Sequence, residues 1–147
     1  NRLPLSMETG LFREIPNFLQ ETAFIDRVHG LIMGWEMERV TKDTPSMSLG
    51  FKGDFFSEVL HVMRRIAQYD EYVSENMVLI NCNDLRDRKA IARLAAGFLK
   101  LLFPDLKPTE DQFRDFCVKP AVELRQRVRD ELHKLDPEYA KVEISYQ

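Results

Sequence analysis

The side chains best suited to chemistry in this sequence are arginines, in two clusters. Arg27 sits in Ala23-Phe24-Ile25-Asp26-Arg27-Val28-His29, among apolar neighbours and just before Gly30. A cation at the end of a short helix, ahead of an extended segment, is held at an edge. From there a rigid planar guanidinium can reach the γ-phosphate of a nucleotide in a neighbouring subunit, where transfer spreads negative charge over the equatorial oxygens. The second cluster is Leu85-Arg86-Asp87-Arg88-Lys89-Ala90-Ile91-Ala92-Arg93. Arg86 and Arg93 are two helical turns apart, hence nearly on one face, and both can point at a phosphate-bearing crevice. Each cluster also has an ordinary structural reading. Arg27 can pair at the surface with Asp26 or a glutamate, and the second cluster can be a solvated basic face balanced by Asp84 and Asp87.

Other chemistries lack their motifs. There is no G-x-x-x-x-G-K-[ST] loop for phosphates and no apolar strand ending in Asp-Glu to hold magnesium. His29, His61 and His133 are scattered, with no H-E-x-x-H, and there is no G-x-S-x-G nucleophile elbow. A part in catalysis would therefore be a contribution to a site completed by other residues.

The 147 residues suit one domain or two small subdomains. With 44% hydrophobic and 31% charged residues the chain has the balance of a folded protein. Twenty-one basic against 24 acidic side chains give a net charge of −3, so no overall basic field attracts nucleic acid. Cys82 and Cys117 have no CxxC or Cys/His ligand spacing, which fits a reducing cytoplasm. No apolar run approaches the roughly 18–20 residues of a membrane span, and no membrane partner is expected. The first residue is Asn1 rather than methionine, as expected of a piece of a longer protein.

The elements that must position these arginines are mainly helical. Residues 1–20 read as irregular, with a short extended piece at Leu3–Met7. A short helix is expected from Pro16 or Thr22 to His29, stopped by Gly30 as a residue tolerant of positive φ. Leu31–Val40 reads as extended, bending at Gly34 and Trp35. Residues 41–53 are turn-rich, and Gly50 and Gly53 are candidate hinges. A helix from Asp54 to about Gln68 carries the stripe Phe55, Phe56, Val59, Leu60, Met63 and Ile66. Tyr69–Cys82 reads as a connection with an extended run at Met77–Ile80. A second helix runs from Asn83 or Asp84 to before Pro104, with Ile91, Leu94, Ala95, Phe98 and Leu102 on one face. Thr109 and Gln112 form a capping box. Pro120 then divides Asp111–Val118 from Pro120–Leu135, as two helices or one kinked helix. The last helix is amphipathic through Ala121, Leu124, Val128, Leu132 and Leu135. Val142–Tyr146 alternates like a strand leading elsewhere. The expected fold class is mainly α, a small helical bundle preceded by an irregular, short-strand segment.

Four stretches in order, FIDRVHGLIMGWEMERV, FKGDFFSEVLHVMRR, LRDRKAIARLAAGFLKLLFPD and VKPAVELRQRVRDELHKLDPEYAKVEISY, resemble the Lon-related AAA+ ATPases of the BREX phage-defence system, a family named for ATP-dependent Lon-type proteases. The resemblance runs from about Leu11 to Tyr146. It implies that residues 1–45 end an AAA+ core, that 46–136 form its helical lid, and that 137–147 lead toward a Lon-like domain. It implies an arginine finger at Arg27, in a DR-x-H stretch similar to the SRFD stretch of replicative helicases, acting in trans. It places the lid's sensor arginine at Arg86 and a second basic position at Arg93. The sequence departs from the family pattern at Glu38, where proline is expected beside Arg39. The phosphate loop and magnesium motif would lie upstream, and the Ser–Lys dyad of Lon-type proteolysis beyond Gln147, so the chain alone is expected to be inactive.

The resemblance further implies ATP and magnesium as cofactors of the larger protein, with none bound to this chain alone. It implies a homo-oligomeric ring, possible DNA association through other regions, and a cytoplasmic location. In such a ring Arg86 would contact the ATP between core and lid, and Arg27 would reach across a subunit interface. Two rivals from other classes remain. One is a helical adaptor burying Phe98, Leu99 and Leu102 against a partner helix. The other is a DNA-binding helical domain using Arg86–Arg93, weakened by the acidic total and the absence of interleaved aromatics.

Overall fold

The structure is a computed structural model describing residues 10–147, so the extended piece expected at Leu3–Met7 lies outside the described residues. Two turns of 3-10 helix, Leu11–Glu14 and Asn17–Leu19, lead into a single α turn, α1, at Thr22–Ile25. Then come α2 (Gly53–Met63), α3 (Gln68–Asn76), β1 (Leu79–Ile80) and α4 (Leu85–Leu102). The chain ends with α5 (Glu110–Phe113), a π-helical turn (Arg114–Val118), α6 (Lys119–Leu135) and β2 (Ser145–Tyr146). The fold is mainly α, a small bundle with one two-stranded antiparallel sheet.

The bundle is centred on α4. Ile91, Ala95, Ala96 and Leu99 are buried against Phe113, Cys117, Val118, Ala121 and Val122 from the α5–α6 run, and against Tyr69 and Val73 of α3. The expected α4 face is therefore rotated slightly, with Leu99 inside and Leu102 half exposed. Asp84 caps α4, its Oδ1 accepting from the backbone N–H of Arg86 at 2.7 Å. The capping box before α5 forms as expected, with Thr109 Oγ1 and the Gln112 side chain each satisfying the other's backbone N–H.

Pro120 does not break the α5–α6 run. Proline has no N–H for the carbonyl four residues back and its ring crowds that carbonyl. The π turn at Arg114–Val118 widens the helix just before Pro120 and absorbs the mismatch.

Three expectations are corrected. The segment read as a connection contains α3; with only Tyr69, Tyr72 and Val73 as apolar contacts, its stripe is too short to stand out from sequence. Leu31–Val40 forms no strand, although it turns at residues 34–36, where a bend was expected. The terminal strand folds back instead of leading away, with Leu79 opposite Tyr146 and Ile80 opposite Ser145. Gln126 of α6 secures it: its amide donates to the Val142 carbonyl at 2.7 Å and accepts from Ile144 N–H at 3.0 Å, as a neighbouring peptide would.

Phe12, Ile25, Val28 and Leu31 pack on Val128, Leu132 and Leu135 of α6, so the N-terminal segment shares an interior with the last helix. Gly30 is needed there for close approach rather than for positive φ. A Cβ at Gly30 would stand 2.8 Å from Leu124 Cβ, and the intimacy lets Leu31 N–H reach the Leu124 carbonyl at 3.2 Å. By contrast α2 has no buried residue. Phe51, Phe55 and Phe56 are exposed, with the Phe51 and Phe55 rings stacked 5.9 Å apart.

Two glycine substitutions should move stability in opposite directions in urea denaturation. Gly30→Ala overpacks the α6 contact and should cost about 1–3 kcal/mol. Gly97→Ala, in the interior of α4 with nothing within 4 Å of a new Cβ, should stabilise by about 0.4–1 kcal/mol. Equal effects of the two would contradict the packing described.

Candidate functional site

Asp26 and Arg27 lie on the turn after α1, and Arg86 and Arg93 on the first half of α4. The fold brings these elements together. Asp26, Arg27, His29, Arg86, Lys89, Ala90 and Arg93 line one cavity of about 290 Å³. All three arginines singled out from sequence thus face the same space, which their separation in the chain does not reveal.

The three cations are held differently. Arg27 is exposed, and among the described residues its one partner is the Ala23 carbonyl, to which Nη1 donates. Arg93, also exposed, shares a hydrogen bond of 3.2 Å between Nη1 and His29 Nε2. Arg86 does have an ion-pair partner within the chain, and it is neither Asp84 nor Asp87, the carboxylates read as balancing its cluster. Its Nη1 is paired with Asp26 Oδ2, although half of the side chain remains exposed. The reason is burial. The Asp26 carboxylate is almost wholly inside, and each of its oxygens needs a donor.

The other donor is Arg125 of α6, which is fully buried. Its Nη2 lies 2.7 Å from Asp26 Oδ1 and 2.6 Å from Asp87 Oδ1, and its Nε donates to Asp87 Oδ1 at 2.7 Å. Nη1 donates to the backbone carbonyls of Asp26 at 3.1 Å and Val28 at 2.5 Å. One guanidinium therefore engages α4 through Asp87, and both the side chain and backbone of the Arg27 turn. Arg129, one turn further along α6, approaches Asp87 Oδ2 at 3.5 Å and Asp84 Oδ2 at 3.8 Å, and its Nη2 donates to Ala140 O at 3.2 Å.

The electrostatics follow from sharing. Burial raises the pKa of Asp26, but hydrogen bonds from Arg86 and Arg125 and their charges outweigh it, leaving the carboxyl below its usual value. For Asp87 burial prevails over the pull of Arg125, and its carboxyl lies above its usual value. Burial also raises the thiols of Cys82 and Cys117 to about 11, so neither is a ready nucleophile at neutral pH.

Sequence reading missed Asp26, Asp87 and Arg125 as parts of this site. A signal for Arg125 was present. Ala121, Val122, Val128 and Leu132 set the buried face of α6, and Arg125 falls inside that stripe at helical spacing. A cation there requires carboxylates, and two acidic residues stand beside the arginines already singled out.

Residues 4–145 match the family model described as the Lon-like protease BrxL-like ATPase domain. Among curated proteins the chain is similar to the Lon-like protease BrxL of Escherichia coli O9:H4 (strain HS), 31% identical over 137 residues. It is 28% identical over 138 residues to the Lon-like protease BrxL of Bacillus cereus (strain H3081.97). Each match covers 92% of this chain and 20% of the relative, so the chain spans about a fifth of the length of these curated relatives.

The buried centre can be tested by itself. Arg125→Ala leaves the Oδ1 atoms of two buried carboxylates without their donor and should cost about 3–5 kcal/mol in chemical denaturation. Asp26→Asn should destabilise at neutral pH, and its cost should shrink on acidification. An ionised Asp26 stabilises the fold above its unfolded pKa of about 3.9, and that contribution is lost as pH falls through the lower folded value. Denaturation at pH 7 and at pH 3 reads this difference; a cost that grows on acidification would contradict it.

Proposed function

The chain belongs to the family of BrxL-like Lon-like proteases, within their ATPase domain, and we propose that it serves that ATPase by presenting arginines to the polyphosphate of a bound nucleotide. The observation that carries this reading is the shared cavity: Arg27, Arg86, Lys89 and Arg93 around about 290 Å³ of open space. Among the described residues Asp26 is the one carboxylate in the lining, and its charge is already engaged by Arg125 and Arg86. An anion with several oxygens fits that lining. A metal does not, because among the described residues no three His, Cys, Asp or Glu side chains converge to hold one. Magnesium ligation falls to other residues.

ATP with magnesium supplies the transferable γ-phosphoryl group. Arg27, exposed and free of carboxylate partners among the described residues, takes the arginine-finger role and stabilises charge on the transferring group from a neighbouring subunit of a homo-oligomeric ring. Arg86 and Arg93 sense the same polyphosphate. The common cavity favours one nucleotide for all three over separate nucleotides for Arg27 and Arg86. In this reading residues 1–45 close the ATPase core, 46–136 form its lid and 137–147 lead toward a Lon-like domain; with the Arg27 turn clamped to α6, a hinge at Gly50 and Gly53 would not part that turn from the lid. The exposed stripe of Phe51, Phe55 and Phe56 supports assembly, since apolar surface of this kind seeks a protein neighbour. The adaptor reading loses its intended contact because Leu99 is already inside this chain's core. DNA association, peptidase activity and a part in phage defence belong to the larger protein in this reading.

In an ATPase assembly that includes these residues, Arg27→Ala should reduce ATP turnover by at least about a hundredfold. Steady-state phosphate release measures it. Turnover within about threefold of the unsubstituted assembly would exclude the finger role.

A further inference from the structure

We infer that Asp26 is a positioning residue for Arg86, and that through Arg125 it ties the aim of the Arg86 guanidinium to the placement of Arg27. The inference rests on the nucleotide reading above and adds the carboxylate that orients the sensing cation.

The two oxygens of Asp26 have separate duties. Oδ1 is held by Arg125 at 2.7 Å, and Oδ2 holds Arg86. Arg125 is fully buried in the interior, and its Nη1 also donates to the Asp26 and Val28 carbonyls. The carboxylate is thus fixed by side chain and backbone together. Arg86 is half exposed, and of its guanidinium nitrogens only Nη1 has a side-chain partner among the described residues. The planar cation is anchored at one corner, with Nε and Nη2 left to donate elsewhere. Anchoring restricts the rotamers of a long side chain before any ligand arrives, which is how a supporting carboxylate pre-organises a binding group. Asp84, by contrast, is engaged with the backbone N–H of Arg86 and does not aim the guanidinium. Arg27 follows Asp26 directly in the chain, so the clamp that orients Arg86 also sets the turn that presents Arg27.

A double-mutant cycle on ATP turnover, in an assembly that includes these residues, tests the inference. Asp26→Asn should lower kcat by about tenfold or more when Arg86 is present, and by less than about twofold when Arg86 is already alanine. An equal factor in both backgrounds would show that Asp26 acts only through the fold, and would overturn the inference while leaving the nucleotide reading standing. Faster turnover in Asp26→Asn would mean that the carboxylate withholds Arg86, which also overturns it. If Arg86→Ala alone leaves turnover unchanged, the sensing role of Arg86 falls and this inference with it. Asp26→Glu keeps the charge but shifts the oxygens by a methylene. It is read through the same cycle and serves if the asparagine variant does not fold.

Discussion

The structure depends on one buried cation. Arg125 emerges from α6 into a space where water cannot solvate it, and a charge so placed is tolerated only when fully paired and hydrogen-bonded. Its partners come from two places distant in sequence, the turn after α1 and the first turn of α4. Meeting its hydrogen-bonding needs fixes both elements against α6. The fork of the guanidinium sets direction as well as proximity.

From that constraint the site follows. With Asp26 and Asp87 turned inward to Arg125, the residues beside them are turned outward, and Arg27 and Arg86 come to line one cavity. Arg86 reaches back to the remaining oxygen of Asp26 because a buried carboxylate with one oxygen unmet is costly. The cationic lining and the buried pair are therefore two faces of the same arrangement. The close approach at Gly30 and the packing of Ile25 on α6 hold the rest of the turn in place.

Much of the fold was legible in the sequence because periodicity and capping are local. The boundaries of α4 follow from Asp84 and Pro104, the capping box from Thr109 and Gln112, and the inner face of α6 from Ala121, Val128 and Leu132. What was not legible depends on contacts between distant segments. The helix α3 draws its burial from Tyr69 and Val73 meeting α4, and its own sequence is too polar to announce it. The pairing of Leu79 with Tyr146 joins segments 67 residues apart in number, and Gln126 as a strand surrogate has no sequence signature. Gly30 was read for conformational freedom, when the structure uses its lack of a side chain. The three arginines that line the cavity were singled out from residue type and spacing, whereas Asp26 and Asp87 were passed over as ordinary surface charges.

That Arg27 and Arg86 address one nucleotide is the proposal on which the rest turns. It is tested most directly by determining the structure of an assembly that includes these residues, with a non-hydrolysable ATP analogue bound. Both guanidinium groups of one subunit should lie within hydrogen-bond reach of phosphate oxygens of the same nucleotide, with Asp26 still on Arg86 Nη1. Finding the two arginines on different nucleotides, or both turned away from phosphate, would contradict it.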